Sequence, residues 1–487
     1  MNQTMKDNNT NNNINTHVDN IDKDHFETEN MVDRNSIREL NKMGTMPVGK
    51  LLRSMSIPAM LSMMVQSMYS IINSIFVGYL GEAALTAVTL IFPIQILIIA
   101  FGAGTGVGLN SLIARRLGER RFQEANSAAT HGLLLALVNW FIFLIFGLFF
   151  SSSFVGIFSS NPAIVGDAVS YCTIVTSLSI FIFVQVHVEK IMQATGNMIY
   201  PMISSLSGAI SNIIINPILI FGLLGAPKLG VTGAAIGTVI AQCISMSVGL
   251  FFLFKKKHDV KINFKNFKID WVTLKNIYAV GLPSIIMQSI SSVMILGLNS
   301  ILISFSEAAV AVLGIYYRLQ SIIFMPVFGL NQGTMPVMGY NFGARKKDRL
   351  IQAFKLALIT AIIIMAIGLV MFQVFPIPLL KLFSASPEMI EIGVIALRTI
   401  STSFIFAAVG IIASTLFQAT AHGILSSIVS LLRQLILLLP LAWVLSRTMG
   451  LNYVWLAFPM SEVFSLMASL FFLQYIYKKE IKHLGDE

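Results

Sequence analysis

From about residue 50 onward the chain alternates between long apolar runs and short polar breaks. Twelve runs are long enough to cross a bilayer as helices: 53–80, 84–113, 125–150, 165–189, 199–223, 231–254, 276–304, 308–338, 351–375, 388–417, 425–446 and 453–477. A helix needs about 20 apolar residues to cover roughly 30 Å of hydrocarbon. A soluble core helix of this kind would not recur twelve times. The breaks between runs carry Gly, Pro and most of the charge. The pattern predicts an all-α polytopic membrane protein with twelve transmembrane helices. Residues 1–49 depart from it. They are rich in Asn and Asp, have no aliphatic clusters and lack the apolar segment of a cleavable signal, so they read as a disordered cytoplasmic tail.

Charge adds orientation. Charged residues make up only 11% of the chain, against about 25% in soluble domains. A net charge of +10 would fit a nucleic-acid binder if it were spread over a surface, but here it is sorted. Connections 114–124, 190–200, 255–275, 342–349, 418–425 and the tail 478–487 hold nineteen Lys and Arg; the opposite set holds Lys228, Lys381 and Arg447. That asymmetry places both termini in the cytoplasm of a cell-membrane protein. The segment 255–275 mixes Phe264, Phe267 and Trp271 with lysines. It reads as an interfacial stretch on anionic lipid, not as a nucleic-acid surface.

The run FGAGTGVGLNSLIARRLGERR (101–121) tests the same choice. It fits neither strict phosphate-loop frame. Gly102/Gly106 and Gly104/Gly108 instead form two G-x-x-x-G pairs, which let helix backbones approach closely in lipid. Cys172 and Cys243 lie within apolar runs, without metal-ligand spacing.

The chain also repeats itself. Pro58 and Pro283, Glu82 and Glu307, Gly104 and Gly329, Gly108 and Gly333, Gly118 and Gly343, Pro162 and Pro387, and Gln193 and Gln418 each differ by 225. One offset held over such a length predicts two six-helix lobes of like orientation: an N-lobe over 50–254, a basic linker over 255–275, a C-lobe over 276–478 and a short tail. Parallel repeats about an axis along the membrane normal are a transporter architecture, with the substrate between or within the halves.

At this point particular stretches become informative. NSIFVGYLGEAAL (73–85), EKIMQATGN (189–197), NIIINPILIFG (212–222), GVTGAAIGT (230–238), GLNQGTMPVMGYNFGARKK (329–347) and RQLILLLPL (433–441) together resemble the multidrug and toxic compound extrusion (MATE) transporters, bacterial exporter branch. The resemblance implies two lobes around a central cavity and export of organic cations driven by inward H⁺ or Na⁺. It also implies coupling carboxylates, and here the chain departs: Asn73 and Asn216 stand where many members carry aspartate, and Ser291 where some carry glutamate. The expected N-lobe polar cluster is Asn73, Asn212, Asn216 and Thr238. Neutral amides bind through hydrogen bonds but do not titrate.

The remaining intramembrane charges need partners or purpose, at roughly 2.5–3.5 kcal/mol each on insertion scales. Glu189 is either an interfacial partner of Lys190 or a proton-carrying carboxylate. Arg433 and Glu462, on antiparallel neighbours, read as a structural pair and as coupling candidates. Arg318 and Arg398 would pair with Glu462 or line a watery cavity. His187 and His131 read as packing residues ahead of proton relays. Candidate substrate contacts are Met64, Gln66, Tyr69, Met287, Gln288, Arg318 and Gln332, because Met adapts to many shapes and aromatic faces attract cations. Other expectations are no cofactor, no metal, organic cations and membrane lipid as partners, and a monomer. Three alternatives stay open: a flippase for lipid-linked intermediates, a transport-impaired homologue, and a polytopic enzyme, for which no acid–base or metal motif is found.

Overall fold

The structure is a computed structural model that describes residues 41–158, 161–256, 258–265, 268–383 and 385–485. Most of the N-terminal tail therefore lies outside the described residues. Lipid offers the backbone no hydrogen-bond partner, so each crossing must satisfy itself as a helix. No strand occurs among the described residues. The first half comprises α1 (Val48–Gly78), α2 (Glu82–Gly118), α3 (Phe122–Phe149), α4 (Pro162–Ser177), α5 (Ile180–Ala194), α6 (Ile199–Phe221) and α7 (Gly230–Lys255). The second comprises α8 (Trp271–Leu302), α9 (Glu307–Gly343), α10 (Lys347–Val374), α11 (Pro387–Ser401), α12 (Phe404–Ala419), α13 (Gly423–Leu431), α14 (Leu439–Thr448) and α15 (Ala457–Lys479).

Among the described residues nine helices are each long and apolar enough to cross a membrane. Two further crossings are bent pairs, α4–α5 at 41° and α11–α12 at 48°. With α1, whose 31 residues reach about 46 Å at 1.5 Å per residue, the crossings number twelve. The bends correct the expectation of single helices over 165–189 and 388–417. The chain breaks at Leu178-Ser179 and at Thr402-Ser403, within one residue of equivalent places in the two repeats. A π-helical turn, Leu432–Leu438, joins α13 to α14.

The repeat is visible as a pseudo-twofold in the packing between halves. A Cβ on Gly104 would lie 2.7 Å from the Ile285 backbone nitrogen, and one on Gly329 2.6 Å from that of Met60. A Cβ on Gly108 would lie 2.9 Å from the nitrogen of Gly281, and one on Gly333 2.7 Å from Ser56 Cα. Every partner here is also offset by 225. So α2 seats α8 as α9 seats α1, and each seat needs a helix surface without side chains. The second G-x-x-x-G pair faces inward, with Gly102 against Phe183 and Gly106 against Val186 and Lys190 of α5.

Two segments outside the crossings tie the halves together. The tail was expected to be disordered through residue 49. Residues 41–49 are instead ordered, with a short helix Lys42–Thr45 leading into α1. The reason lies in its partners. Asn41 donates to the Thr195 carbonyl of the N-lobe at 3.1 Å and bonds Asp259 of the linker. The carbonyls of Met43, Gly44 and Met46 accept from Asn341, Lys346 and Arg349 of the C-lobe.

The linker is strapped along α3 by its backbone. Lys261 N–H donates to Asn126 Oδ1 at 2.6 Å, Asn263 N–H to Thr130 Oγ1 at 3.4 Å and Asp270 N–H to His131 Nε2 at 2.9 Å. Phe267 lies outside the described residues; Phe264 and Trp271 are exposed, and Trp271 opens α8. Asp270 then caps α8, accepting from the N–H groups of Val272 and Thr273. The Thr273 hydroxyl, first among these donors, holds the Asp270 carboxyl below its ordinary range. His131 is thus a fastening point for the linker. His131→Phe removes the acceptor for the Asp270 N–H. Hydrogen exchange over 268–272 is then expected to rise about tenfold, the worth of one ordinary hydrogen bond. Unchanged protection would show that the bond does not hold the linker.

Candidate functional site

The N-lobe interior carries a polar track along α6. Ser205, Asn212 and Asn216 are spaced by seven and four residues, which aligns them on one helix face. At one end of the track Asn216 Nδ2 donates to Asn73 Oδ1 at 2.9 Å and to Asn212 Oδ1 at 3.1 Å. Both amide hydrogens are then used, and Asn216 Oδ1, wedged against Gly237, is buried with no hydrogen-bond partner among the described residues. Three of the four expected residues meet. Thr238 does not join them, because its hydroxyl bonds the Ala234 carbonyl of its own helix at 2.9 Å. A threonine in a helix has that acceptor always within reach.

At the other end Glu189 Oε1 accepts from Ser205 Oγ at 2.9 Å and from Gln185 Nε2 at 3.1 Å. Its chain neighbour Lys190 turns the other way, into the seam between the lobes. Lys190 Nζ donates to Gln193 Oε1 at 3.0 Å and to Gln332 Oε1 of α9 at 3.2 Å. Gln193 Nε2 reaches the same Gln332 oxygen at 3.3 Å, and Gln332 Nε2 points at Met63 Sδ of α1 at 3.6 Å. Consecutive helical residues diverge by about 100°, so the reading of Glu189 and Lys190 as one interfacial pair does not survive. Gly106 makes room for the lysine stem: a Cβ there would lie 2.8 Å from Lys190 Cγ.

Behind this, buried His187 is locked by Phe183 O at 2.8 Å from Nδ1 and Thr105 Oγ1 at 3.1 Å from Nε2. The same Thr105 hydroxyl accepts from buried Asn139 Nδ2 at 3.2 Å.

In the C-lobe Arg433 NH1 and Glu462 Oε1 lie 3.3 Å apart, the pair expected from antiparallel neighbours. Arg433 stands in the π turn, which also carries Gln434. Ser291 Oγ donates to Gln434 Oε1 at 3.0 Å, and Gln434 Nε2 to Ser430 Oγ at 2.7 Å. A π turn widens the helix and re-aims its side chains, a geometry common at functional sites. Neither Arg398 nor Arg318 pairs with Glu462. Arg398 exchanges hydrogen bonds with Gln373, at 3.2 Å and 2.7 Å. The exposed Arg318 guanidinium makes no hydrogen bond or ion pair to a described residue.

Of the remaining expected contacts, Tyr69 bonds Gln66 and lies beside Tyr171, which accepts from Gln95 Nε2 at 2.7 Å. Met64 is 42% exposed. Met287 and Gln288 are half-buried on α8, and Gln332 lies in the seam described above. Sequence reading missed Gln193 and the seam-facing role of Lys190. The available signal was the pairing of Gly106 with an i+84 cation, which no local pattern connects. Among the described residues no group of three or more His, Cys, Asp or Glu side chains is placed to hold a metal.

Two pseudo-symmetric helical lobes, each with a polar interior and meeting at a glycine-lined seam, define a polytopic membrane transporter. The MatE family model matches residues 58–218 and 283–444, two segments that begin 225 residues apart. The chain therefore belongs to the MatE family. It is 28% identical over 409 residues to the multidrug export protein MepA of Staphylococcus haemolyticus, covering 83% of this chain and 88% of that protein. It is 26% identical over 431 residues to MepA of Staphylococcus aureus strain MSSA476, covering 87% and 93%. Among solved structures, a MATE-family multidrug resistance transporter in an outward-facing conformation superposes with TM-score 0.86 at 28% identity, covering 92% of this chain and 99% of that one. A transporter of the same superfamily from Pyrococcus furiosus, described as having a binding pocket of reversed polarity, gives TM-score 0.85 at 28% identity, covering 91% and 98%.

Proposed function

We propose that the protein is a secondary active antiporter that exports organic cations, drugs among them, across the cell membrane in exchange for inward H⁺ or Na⁺, working as a monomer by alternating access. In this reading the basic face is cytoplasmic, both termini lie there, and the present state is closed on that side. The observation that carries it is a matched pair of contacts at the basic ends of α2 and α9. A Cβ on Gly118 would meet Ala344 N at 2.8 Å, and one on Gly343 would meet Arg115 C at 2.9 Å. The contacts are nearly reciprocal across the seam, as a gate between two rocking halves requires. The solved relative described as outward-facing and the two export proteins support the same reading.

Glu189 is the proposed ion carrier. It is held by an amide and a hydroxyl, with no close ion pair among the described residues, so taking up a proton breaks no salt bridge. Glu462 would have to release Arg433 first. The amide cluster at Asn73 and Asn216 keeps a second reading alive, a homologue in which coupling is lost.

The test is ethidium efflux from vesicles under separately imposed H⁺ and Na⁺ gradients. Wild type is expected to respond to one gradient, and Glu189→Gln to lose at least about tenfold of that response, within the range of a lost acid–base group. Equal efflux in Glu189→Gln would remove the assigned carrier. No efflux in wild type would favour the transport-impaired reading.

A further inference from the structure

The basic face holds a second candidate site, set at the gate itself and distinct from the polar track of the N-lobe. A cleft of about 820 Å³ opens where the ends of α2 and α9 meet. Arg116, Arg120 and Arg121 line it from one half, and Arg345 and Lys346 from the other, with His483 at its edge. Two acids, Glu119 and Glu480, share the wall, and both are engaged. Glu119 binds Arg116 at 2.5 Å and Arg121 at 3.6 Å, and Glu480 faces His422 Nε2 at 3.1 Å.

Two features separate this cleft from an ordinary run of positive loops. First, Arg120 and Arg345 both adopt left-handed backbone, φ 61° and 55°. They are equivalent by the offset of 225, and each follows its helix end at the position where glycine is preferred. Membrane topology is set by cations anywhere in a short loop; it requires neither a strained backbone nor a matched pair. Second, like charges are crowded. Burial, and then the Arg349 and Arg120 guanidiniums, hold the Lys346 ammonium below its ordinary lysine value. The Arg120 guanidinium makes no hydrogen bond or ion pair to a described residue.

We propose that this cleft binds an oligophosphate anion, bridged between Arg120 of the first half and Arg345 of the second. Phosphate oxygens accept several charge-assisted hydrogen bonds at once, and guanidiniums match them in pairs. The anion would relieve the mutual repulsion of the cations, and it would hold the seam shut because its ligands come from both lobes. The shared chemistry is a phosphate ester or anhydride, supplied either by a soluble polyphosphate or by an anionic lipid headgroup.

The test uses the full chain in neutral detergent, with thermal unfolding followed during titration with pyrophosphate at constant ionic strength. Wild type is expected to gain stability saturably. The double variant R120G/R345G removes both guanidiniums while suiting the left-handed turns, so it is expected to fold and to bind pyrophosphate at least about tenfold more weakly. A second arm compares nanodiscs of phosphatidylcholine alone with discs containing phosphatidylglycerol. Pyrophosphate stabilisation that persists in both assigns a soluble ligand; stabilisation that disappears only with phosphatidylglycerol assigns the headgroup. An equal pyrophosphate response in R120G/R345G, an equal shift with potassium chloride at matched ionic strength, or no response to either phosphate source would overturn the proposal.

Discussion

Gly118→Val is expected to abolish drug efflux while leaving the protein inserted and abundant in the membrane. Gly118 lies at the end of α2, and the space a Cβ would need is already filled by the backbone of Tyr340 and Ala344. Backbone cannot move aside as the end of a side chain can. Overpacking of this kind costs about 1–3 kcal/mol or more. The cost falls on the state closed at the basic face and not on either lobe alone, because the contact crosses between them. About 3 kcal/mol shifts a two-state population more than a hundredfold, which would starve the cycle of its closed form. Gly343→Val is expected to match it, since Gly343 meets the Arg115 backbone in the same way. Gly314→Val is the control: beyond its own helical turn, a Cβ there would meet no described atom within 4 Å. Ethidium accumulation in cells, normalised to membrane abundance, measures the effect. Full efflux by Gly118→Val and Gly343→Val at normal abundance would mean that the seam need not close.

Glu462→Leu is expected to be the most destabilising single change in the C-lobe. It leaves the Arg433 guanidinium, whose side chain is 26% exposed, inside the membrane without its anion. Breaking a buried pair from one side costs about 3–5 kcal/mol, whereas replacing both partners with apolar groups is often neutral. The double variant R433L/E462L should therefore recover most of the lost thermal stability. Efflux then separates the two roles given to the pair. Recovery of both stability and efflux marks a structural pair. Recovery of stability alone marks Glu462 or Arg433 as part of the coupling chemistry. A single variant as stable as wild type would show that the pair contributes nothing.

The gross architecture was legible because lipid imposes strong rules. A run of apolar residues must be a helix, and the offset of 225 between Gly104 and Gly329 or Gly118 and Gly343 had to mean equivalent places in two lobes. The contact partners Ile285 and Met60 obey the same offset, so the repeat describes packing as well as sequence. Arg433 with Glu462 was also legible, since stranded charges in a membrane have few places to go, and Asn73 with Asn216 was legible through the family resemblance. Three things were not. The turn of Lys190 away from Glu189 depends on helix phase and on a partner, Gln332, in the other lobe. Thr238 was placed in the cluster by resemblance, but the nearest carbonyl of its own helix takes the hydroxyl. The ordering of residues 41–49 depends on acceptors and donors at Thr195, Asn341 and Arg349, which no local composition reveals.

In the proposed cycle the two lobes part at the basic face once in every turnover. Cysteines at Arg121 and Arg345, which line one cleft from opposite lobes, would be joined by a reducible cross-linker in a background lacking Cys172 and Cys243. Complete cross-linking is expected to stop ethidium efflux, and reduction to restore it. Undiminished efflux from the fully cross-linked protein would contradict the account.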